Sequence, residues 1–97
     1  EADVLDLRTL SPLDEEAVLD SVKRTNKVMV LHEASRFGGF GGEIAAVIAE
    51  KAFEHLDGPI VRVTALDTPV PFSPPLEAEF APDVPKVCAA ARKLMAY

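Results

Sequence analysis

Two short apolar runs with a helical pattern between them constrain the fold of this chain most strongly. Lys27 to Ala34 contains a continuous apolar run, which is typical of a central strand covered on both faces, and Ile60 to Thr64 predicts another strand. Glu43 to Leu56, between them, carries apolar residues at helical spacing. Because such an order produces parallel pairing with right-handed crossovers, the sequence predicts an α/β fold with a mainly parallel sheet.

Further elements flank this unit on both sides. Val4 to Thr9 is predicted to be a strand. The helix after it is predicted to begin with Ser11 or Asp14 as its cap and to end at Asn26, which would adopt a left-handed conformation. The proline-rich segment from Leu66 to Pro82 is predicted to run extended over the surface. Asp83 is predicted to cap a last helix, with its apolar stripe at Val84, Val87, Cys88, Ala91, Leu94 and Met95.

Length and charge narrow the classes of function. A chain of 97 residues builds one compact core, so residues 1–97 are predicted to be a single domain. The formal charge of −6 disfavours nucleic acid and suits a basic protein partner. The chain has no apolar run near ~18 residues, so no membrane partner is expected. It begins at Glu1, directly before a predicted strand, which indicates a portion of a longer polypeptide.

The glycine run from Gly38 to Gly42 follows a strand and opens a helix, where backbone N–H groups can hold a phosphate. Its spacing fits neither G-x-G-x-x-G nor G-x-x-x-x-G-K-[ST], which argues against nucleotide binding. The structural alternative is that the glycines allow positive φ and a close approach to a helix or to another subunit.

His32 and Glu33 lie at the end of the central strand, where open α/β sheets place ligands. His32 could act as a general base in a small enzyme, or it could make a structural or interface hydrogen bond. Cys88 lies on an apolar stripe and is expected to be a packed thiol. Glu50, Glu54 and Asp57 form either a solvated face or an acidic docking patch. An enzyme and a non-catalytic assembly module therefore both remain open.

Four motifs occur in an order and spacing that resemble one family. They are Val4–Asp14, His32-Glu33-Ala34, Gly38-Gly39-Phe40-Gly41 with Glu43-Ile44, and Arg62-Val63-Thr64 with Asp67-Thr68-Pro69. The chain resembles the C-terminal domain of the β subunit of thiamine-diphosphate-dependent 2-oxo acid dehydrogenases. The ending from Cys88 to Tyr97 is more similar to the branched-chain type than to the pyruvate type.

The resemblance implies a transketolase-type C-terminal domain, a three-layer α/β/α sandwich that lacks its first strand-helix portion here. It implies an assembly domain in an α2β2 heterotetramer that decarboxylates a 2-oxo acid and acylates a lipoyl group. Thiamine diphosphate and Mg²⁺ would be held by the α subunit and the β subunit's other domain. No cofactor-binding, metal-binding or catalytic residue of the family maps onto this chain, which is expected to be inactive alone.

The resemblance also implies partners and a location. The loop of His32, Gly38, Gly39, Phe40 and Gly41 would contact another subunit. The acyltransferase core's subunit-binding domain would dock near Asp57, Glu54 and the carboxylate of Tyr97. Because the missing strand would leave backbone groups uncovered, the chain is expected to self-associate. The enzyme would be cytoplasmic in a bacterium and in the mitochondrial matrix of a eukaryote.

Overall fold

A computed structural model describes residues 2–8, 13–67, 75 and 79–97. Its elements are α1 (Glu15–Thr25), β1 (Met29–Ser35), α2 (Phe40–Lys51), a 3₁₀ turn at Phe53–His55, β2 (Val61–Ala65) and α3 (Val84–Met95). The strands β1 and β2 pair in parallel, α2 contacts β1, and α3 contacts β2. The predicted α/β class with a parallel sheet is confirmed.

Helix α1 begins and ends at the residues that its capping signals indicate. The Asp14 carboxylate accepts a hydrogen bond from the Ala17 amide at 3.1 Å, which satisfies one free donor of the first turn. Asn26 ends the helix with φ of 66°, and its amide donates to the Val22 carbonyl. Both predictions are confirmed, whereas the alternative cap at Ser11 lies outside the described residues.

The core lies between α1, α2 and β1. Helical spacing places Val18 and Val22 on the buried side of α1, and Ile44 and Ile48 on the buried side of α2. Val30 of β1 and Ala52, just beyond α2, complete this cluster. Ile48 and Ala52 are fully buried, so the second half of α2 forms the centre of the core.

The predicted first strand is wrong for the residues that can be checked, since residues 2–8 form no strand. Val4 is 88% exposed, because no neighbouring strand offers its backbone a hydrogen-bonded ladder among the described residues. Asp3 instead accepts hydrogen bonds from Arg24 and Ser21 of α1. The Arg24 hydrogen bond, followed by that of Ser21, lowers the pKa of the Asp3 carboxyl.

Helix α2 begins and ends earlier than the predicted range from Glu43 to Leu56. It begins at Phe40, so Gly41 and Gly42 belong to its first turn and not to a loop. The backbone leaves the helical region at Ala52, where φ is −137°, and a 3₁₀ turn follows. This break leaves Phe53 exposed.

Helix α3 has the predicted bounds, and the Asp83 carboxylate caps it by accepting from the Lys86 amide at 2.9 Å. Its predicted apolar stripe is only partly buried: Leu94 is in the interior, whereas Val84 and Met95 are exposed. Most of the proline-rich segment lies outside the described residues. No helix in the described ranges is both long and apolar enough to cross a membrane.

The packing predicts a large difference between two substitutions of apolar residues. Ile48→Ala should lower the free energy of unfolding by ~2–5 kcal/mol, because it opens a cavity at the centre of the core. Val84→Ala should change it by less than ~0.5 kcal/mol, because Val84 is 75% exposed. Urea unfolding followed by circular dichroism measures both, and equal losses would contradict this description of the core.

Candidate functional site

Strand β1 bulges at its C-terminal end, where the sequence places His32 and Glu33. Leu31 is opposite Val63, but Ser35 is opposite Ala65, so three residues of β1 face one residue of β2. A bulge breaks the regular alternation of side chains and redirects them. The expectation that His32 and Glu33 point to opposite faces therefore does not apply, because it required a regular strand.

The redirected imidazole of His32 lies against the glycine run at the beginning of α2. A Cβ atom on Gly41 would be 2.5 Å from Cδ2 of His32, and one on Gly39 would be 2.8 Å from Cε1. Real Cβ atoms do not approach other atoms so closely, so both positions require glycine. The structure thus brings His32 together with Gly39 and Gly41, two of the other residues of the predicted interface loop.

The surroundings of His32 favour packing over catalysis, and the structural hydrogen bond that was the alternative to catalysis is not formed among the described residues. Both ring nitrogens are shielded from solvent, and neither has a hydrogen-bond partner in the described part of the chain. A general base needs a group that orients its ring and a cavity that admits a substrate. Neither of the two surface clefts described below includes His32 in its lining.

The side of the glycine run that faces His32 has no room for a phosphate. Gly38 adopts φ of 75°, a conformation that side chains rarely adopt, and Gly39 caps α2 without a side-chain hydrogen bond. On the side of Gly39 and Gly41 that faces β1, the imidazole of His32 already occupies the space that a phosphate would need. The run therefore serves the close approach of α2 to β1, which is the structural alternative.

Two arginines that the sequence analysis did not single out stand beside this loop. Nη1 of Arg36 donates to the Arg62 carbonyl at 3.4 Å, and Nη1 of Arg62 donates to the Arg36 carbonyl at 3.3 Å. An open cleft of about 570 Å³, which we call the arginine cleft, lies between them and the start of α2. Its lining residues are Arg36, Gly38, Gly39, Phe40, Gly42, Glu43 and Arg62.

A smaller cleft of about 300 Å³ continues from the same arginines along β2 to Asp67. One carboxylate oxygen of Asp67 accepts a hydrogen bond from the Phe37 amide at 2.8 Å, which fixes the turn. Phe37 is 85% exposed, whereas Phe40 packs against the core. The aromatic residue of the predicted interface loop, Phe40, therefore faces the core, and the exposed ring belongs to Phe37, which the prediction did not include.

The residues predicted to bind the acyltransferase lie elsewhere, beyond the end of α2. A Cβ atom on Gly58 would be 3.2 Å from Cβ of Tyr97, so the loop after Asp57 meets the end of the chain. Glu54, in the 3₁₀ turn, has an exposed side chain, and its Oε1 lies 3.9 Å from Nε2 of His55. Lys27 donates to an oxygen of the Tyr97 carboxylate and therefore occupies part of this surface.

Asn26 holds this second surface in place. Its side-chain amide donates to the His55 carbonyl at 2.8 Å, and its backbone carbonyl accepts from the Asp57 amide at 2.7 Å. One residue in a left-handed conformation thus joins the end of α1 to the turn that carries the acidic residues.

Other reactive groups in the described ranges offer no additional chemistry. No group of three or more histidine, cysteine, aspartate or glutamate side chains there could hold a metal ion. Cys88 is a half-buried free cysteine on α3, which is consistent with the predicted packed thiol.

The contact between His32 and Gly41 predicts that the effect of Gly41→Ala on stability depends on whether His32 is present. Gly41→Ala should lower the free energy of unfolding by ~1–3 kcal/mol through overpacking. This loss exceeds the ~1 kcal/mol that alanine contributes through its higher helix propensity. When His32→Ala removes the imidazole, the same substitution should become neutral or stabilising. Urea unfolding of the four variants measures this coupling.

Gly38→Ala is the matched control, because nothing lies within 4 Å of its Cβ position and its cost comes from the backbone alone. It should cost ~1–2 kcal/mol whether or not His32 is present. A Gly41→Ala effect that is the same in both backgrounds would contradict the proposed contact.

Known proteins that are similar to this chain agree on one family. The family described as "Transketolase, C-terminal domain" matches residues 1–87. The β subunit of acetoin:2,6-dichlorophenolindophenol oxidoreductase from Bacillus subtilis is 45% identical over 98% of this chain and 28% of its own length.

Two further relatives differ in the substrate that their names give. The mitochondrial 2-oxoisovalerate dehydrogenase subunit beta of Dictyostelium discoideum is 43% identical over 98% of this chain and 25% of its own length. The pyruvate dehydrogenase E1 component subunit beta of Rickettsia conorii is 39% identical over 100% of this chain and 30% of its own length. The chain therefore spans less than a third of these relatives.

The match over residues 1–87 agrees with the parallel sheet, the glycine-opened α2 and the order of the motifs along the chain. Together they establish that this chain belongs to the transketolase C-terminal domain family, with β subunits of 2-oxo acid dehydrogenases among its relatives.

Proposed function

We propose that this chain is the C-terminal domain of the β subunit of a thiamine-diphosphate-dependent 2-oxo acid dehydrogenase, and that it serves subunit assembly. The observation that carries the proposal is the family match over residues 1–87, together with three β subunits that align with almost the whole chain. The parent protein would then be an oxidoreductase, and this domain would hold its subunits together.

An assembly role is supported by the kind of groups that the described residues offer. The glycine loop is filled by an imidazole, and the clefts are open and lined by arginines. Exposed apolar side chains, among them Phe37, Phe53 and Met95, suit contact with other polypeptides better than they suit a solvated surface. The alternative, a small stand-alone enzyme that uses His32, has no oriented base to support it among the described residues.

The described residues of this chain do not form a site that fits thiamine diphosphate and Mg²⁺. His32 fills the space beside the Cβ positions of Gly39 and Gly41, and Glu43 adds a negative charge in the first turn of α2. The described residues also lack a cluster of oxygen ligands for a divalent cation. In this proposal both cofactors belong to other parts of the enzyme, and the chain alone is inactive.

The proposed assembly is a heterotetramer of two α and two β subunits. Each described strand has one neighbour, so the sheet has two edges that are open within those residues. Leu31, at the middle of β1, is 52% exposed. Open edges with apolar side chains favour association with other chains, and self-association of the isolated chain remains a prediction. The proposed location of the enzyme depends on the organism: it is the cytoplasm in a bacterium and the mitochondrial matrix in a eukaryote.

A branched-chain 2-oxo acid is the substrate that we propose for the parent enzyme. The ending from Cys88 to Tyr97, which is similar to the branched-chain type, supports this choice. Pyruvate and acetoin are the alternatives, because the relatives with those names are 39% and 45% identical to the chain.

The full-length polypeptide that carries this chain, reassembled with its α subunit, thiamine diphosphate and Mg²⁺, provides the test. We expect turnover of branched-chain 2-oxo acids with a kcat/KM at least about tenfold above those of pyruvate and acetoin, a difference of ~1.4 kcal/mol in transition-state binding. An artificial electron acceptor measures all three rates.

A preference for pyruvate or acetoin would contradict only the substrate, whereas no turnover of any of them would contradict the function. As a control, calorimetric titration of the isolated chain with thiamine diphosphate and Mg²⁺ should show no saturable heat. Saturable micromolar binding would overturn the assembly role.

The proposed acyltransferase surface consists of Glu54, Asp57 and Tyr97. The net charge of −6 supports a basic partner, and the loop of Asp57 and Gly58 lies beside Tyr97. Lys27 already donates to the Tyr97 carboxylate, so a partner cation would have to share that group. Asp57 is exposed and its backbone is held by Asn26, which makes it the better acceptor.

In the reassembled enzyme, Asp57→Lys should weaken acyltransferase binding by about thirtyfold or more. Removing one partner of an oriented charge pair costs ~2 kcal/mol or more, and the salt dependence of binding should fall with it. Surface plasmon resonance at several salt concentrations measures both quantities.

Asp20→Lys, an equal charge change at an exposed position of α1, is the matched control and should leave binding and decarboxylation unchanged. If Asp57→Lys leaves the affinity unchanged, Asp57 does not belong to the binding site.

A further inference from the structure

We propose that Asp57 and Gly58 form a site of spontaneous backbone modification, at which the chain isomerises through a cyclic imide to an isoaspartyl linkage. The two residues lie in the loop between the 3₁₀ turn and β2. This inference goes beyond the proposed assembly function and does not rest on it, because the reaction takes place within the chain and needs no partner subunit.

The reaction is an attack of the Gly58 backbone nitrogen on Cγ of Asp57. A carbon–nitrogen bond forms between these two atoms, and the amide proton and the carboxyl hydroxyl leave together as water. The cyclic imide then takes up one water. Addition at the former backbone carbonyl of Asp57 breaks its bond to nitrogen and gives isoaspartate, whereas addition at Cγ restores aspartate. Because one water is lost and one is gained, no oxidant or reductant is needed.

Glycine at position 58 leaves the attacking nitrogen accessible. A side chain on the residue after an aspartate shields the backbone nitrogen, and glycine has no Cβ atom with which to do so. Asp57 is the one aspartate of the chain that is followed by glycine. Residues 56–60 also lie outside helices and strands, so no hydrogen-bonded ladder holds the backbone there.

The peptide unit that reacts carries no hydrogen bond. Neither the Gly58 amide nor the Asp57 carbonyl has a hydrogen-bond partner within the described residues. A backbone amide in a helix or a sheet has to lose its hydrogen bond before it can react, which requires local opening of that element. At Gly58 this step is not needed.

The carboxyl group that is attacked is free as well. The Asp57 side chain is exposed, and in the part of the chain that the structure describes it forms neither a hydrogen bond nor an ion pair. Asp14, Asp67 and Asp83, by contrast, each accept a hydrogen bond from a backbone amide. Because nothing holds the Asp57 carboxyl group, it can turn toward the Gly58 nitrogen.

An isoaspartyl linkage lengthens the main chain by one carbon atom where both sides are held. The Asp57 amide donates to the Asn26 carbonyl at 2.7 Å. The Cβ position of Gly58 lies 3.2 Å from Cβ of Tyr97 and 3.4 Å from Cδ1 of Leu94. The added carbon therefore displaces one of these contacts, so the modification loosens the attachment of the loop to α1 or to the end of α3.

Peptide mapping of the full-length polypeptide that carries this chain, reassembled with its α subunit, tests the inference. The enzyme is incubated in heavy-oxygen water and then digested in ordinary water. Trypsin cleaves after Lys51 and Arg62 and releases residues 52–62, in which Asp57 is the one aspartate. We expect this peptide to carry heavy oxygen, because each passage through the imide takes up one water. Electron-transfer fragmentation should place isoaspartate at residue 57.

Asp20 is the internal control in the same sample. It is exposed like Asp57, but Ser21, the residue after it, lies within the hydrogen-bonded ladder of α1. Uptake of heavy oxygen at Asp57 should be faster by about tenfold or more, because the reaction at Asp20 has to wait for local opening of the helix.

Two variants separate this chemistry from an effect on folding. Asp57→Glu keeps an exposed carboxylate but requires a larger imide ring, so uptake at residue 57 should be lost. Gly58→Ala adds a shielding Cβ atom and should slow uptake several-fold. Because that atom would lie 3.2 Å from Cβ of Tyr97, circular dichroism checks the fold of this variant.

The inference is overturned if residues 52–62 of the wild-type protein take up no heavy oxygen, or if uptake at Asp57 is no faster than at Asp20. It is also overturned if Asp57→Glu retains the uptake, or if heavy oxygen is found at residue 57 with aspartate alone. Turnover of 2-oxo acids tests the proposed function separately, so either proposal can fail while the other stands.

Discussion

The contact between the His32 imidazole and the first turn of α2 sets the geometry of the whole candidate site. The turn can lie against the ring only because residues 39 and 41 have no side chain. The ring reaches the turn because β1 bulges between Leu31 and Ser35. Two departures from regular structure therefore meet at one point, and together they fix where α2 begins. The position at which α2 begins determines which of its side chains face the core, and these include Ile44 and Ile48.

The same geometry separates two surfaces of opposite charge. The end of β1 and the start of α2 carry the paired arginines and an exposed aromatic ring. Beyond the end of α2, Asn26 holds the turn with the acidic residues against α1. Under the proposed assembly role, the two surfaces would serve different partners, and local charge would keep those partners distinct. The net charge of −6 agrees with the acidic surface and not with the two arginines.

Local signals predicted the elements whose limits depend on local interactions. Asp14 and Asp83 accept hydrogen bonds from amides in the first helical turn, and Asn26 tolerates the left-handed conformation, so these caps follow from residue type. The apolar spacing of Ile44 and Ile48 predicted their burial for the same reason. The family also followed from the order of short motifs along the chain, which the match over residues 1–87 supports.

Tertiary structure alone decided the features that need two distant segments. Val4 lies outside a strand because a strand requires a neighbouring backbone, and propensity cannot supply one. Glycine has a low helix propensity, yet Gly41 lies in a helix. The residue at this position must be glycine because the imidazole of His32 leaves room for nothing larger. Arg36 and Arg62 are 26 residues apart, and only the parallel pairing of β1 with β2 brings each guanidinium to the other's carbonyl. The sequence by itself thus determined the caps, the helical core positions and the family, because each depends on neighbours along the chain. The charged cleft depends on strand register, which is a property of the folded sheet.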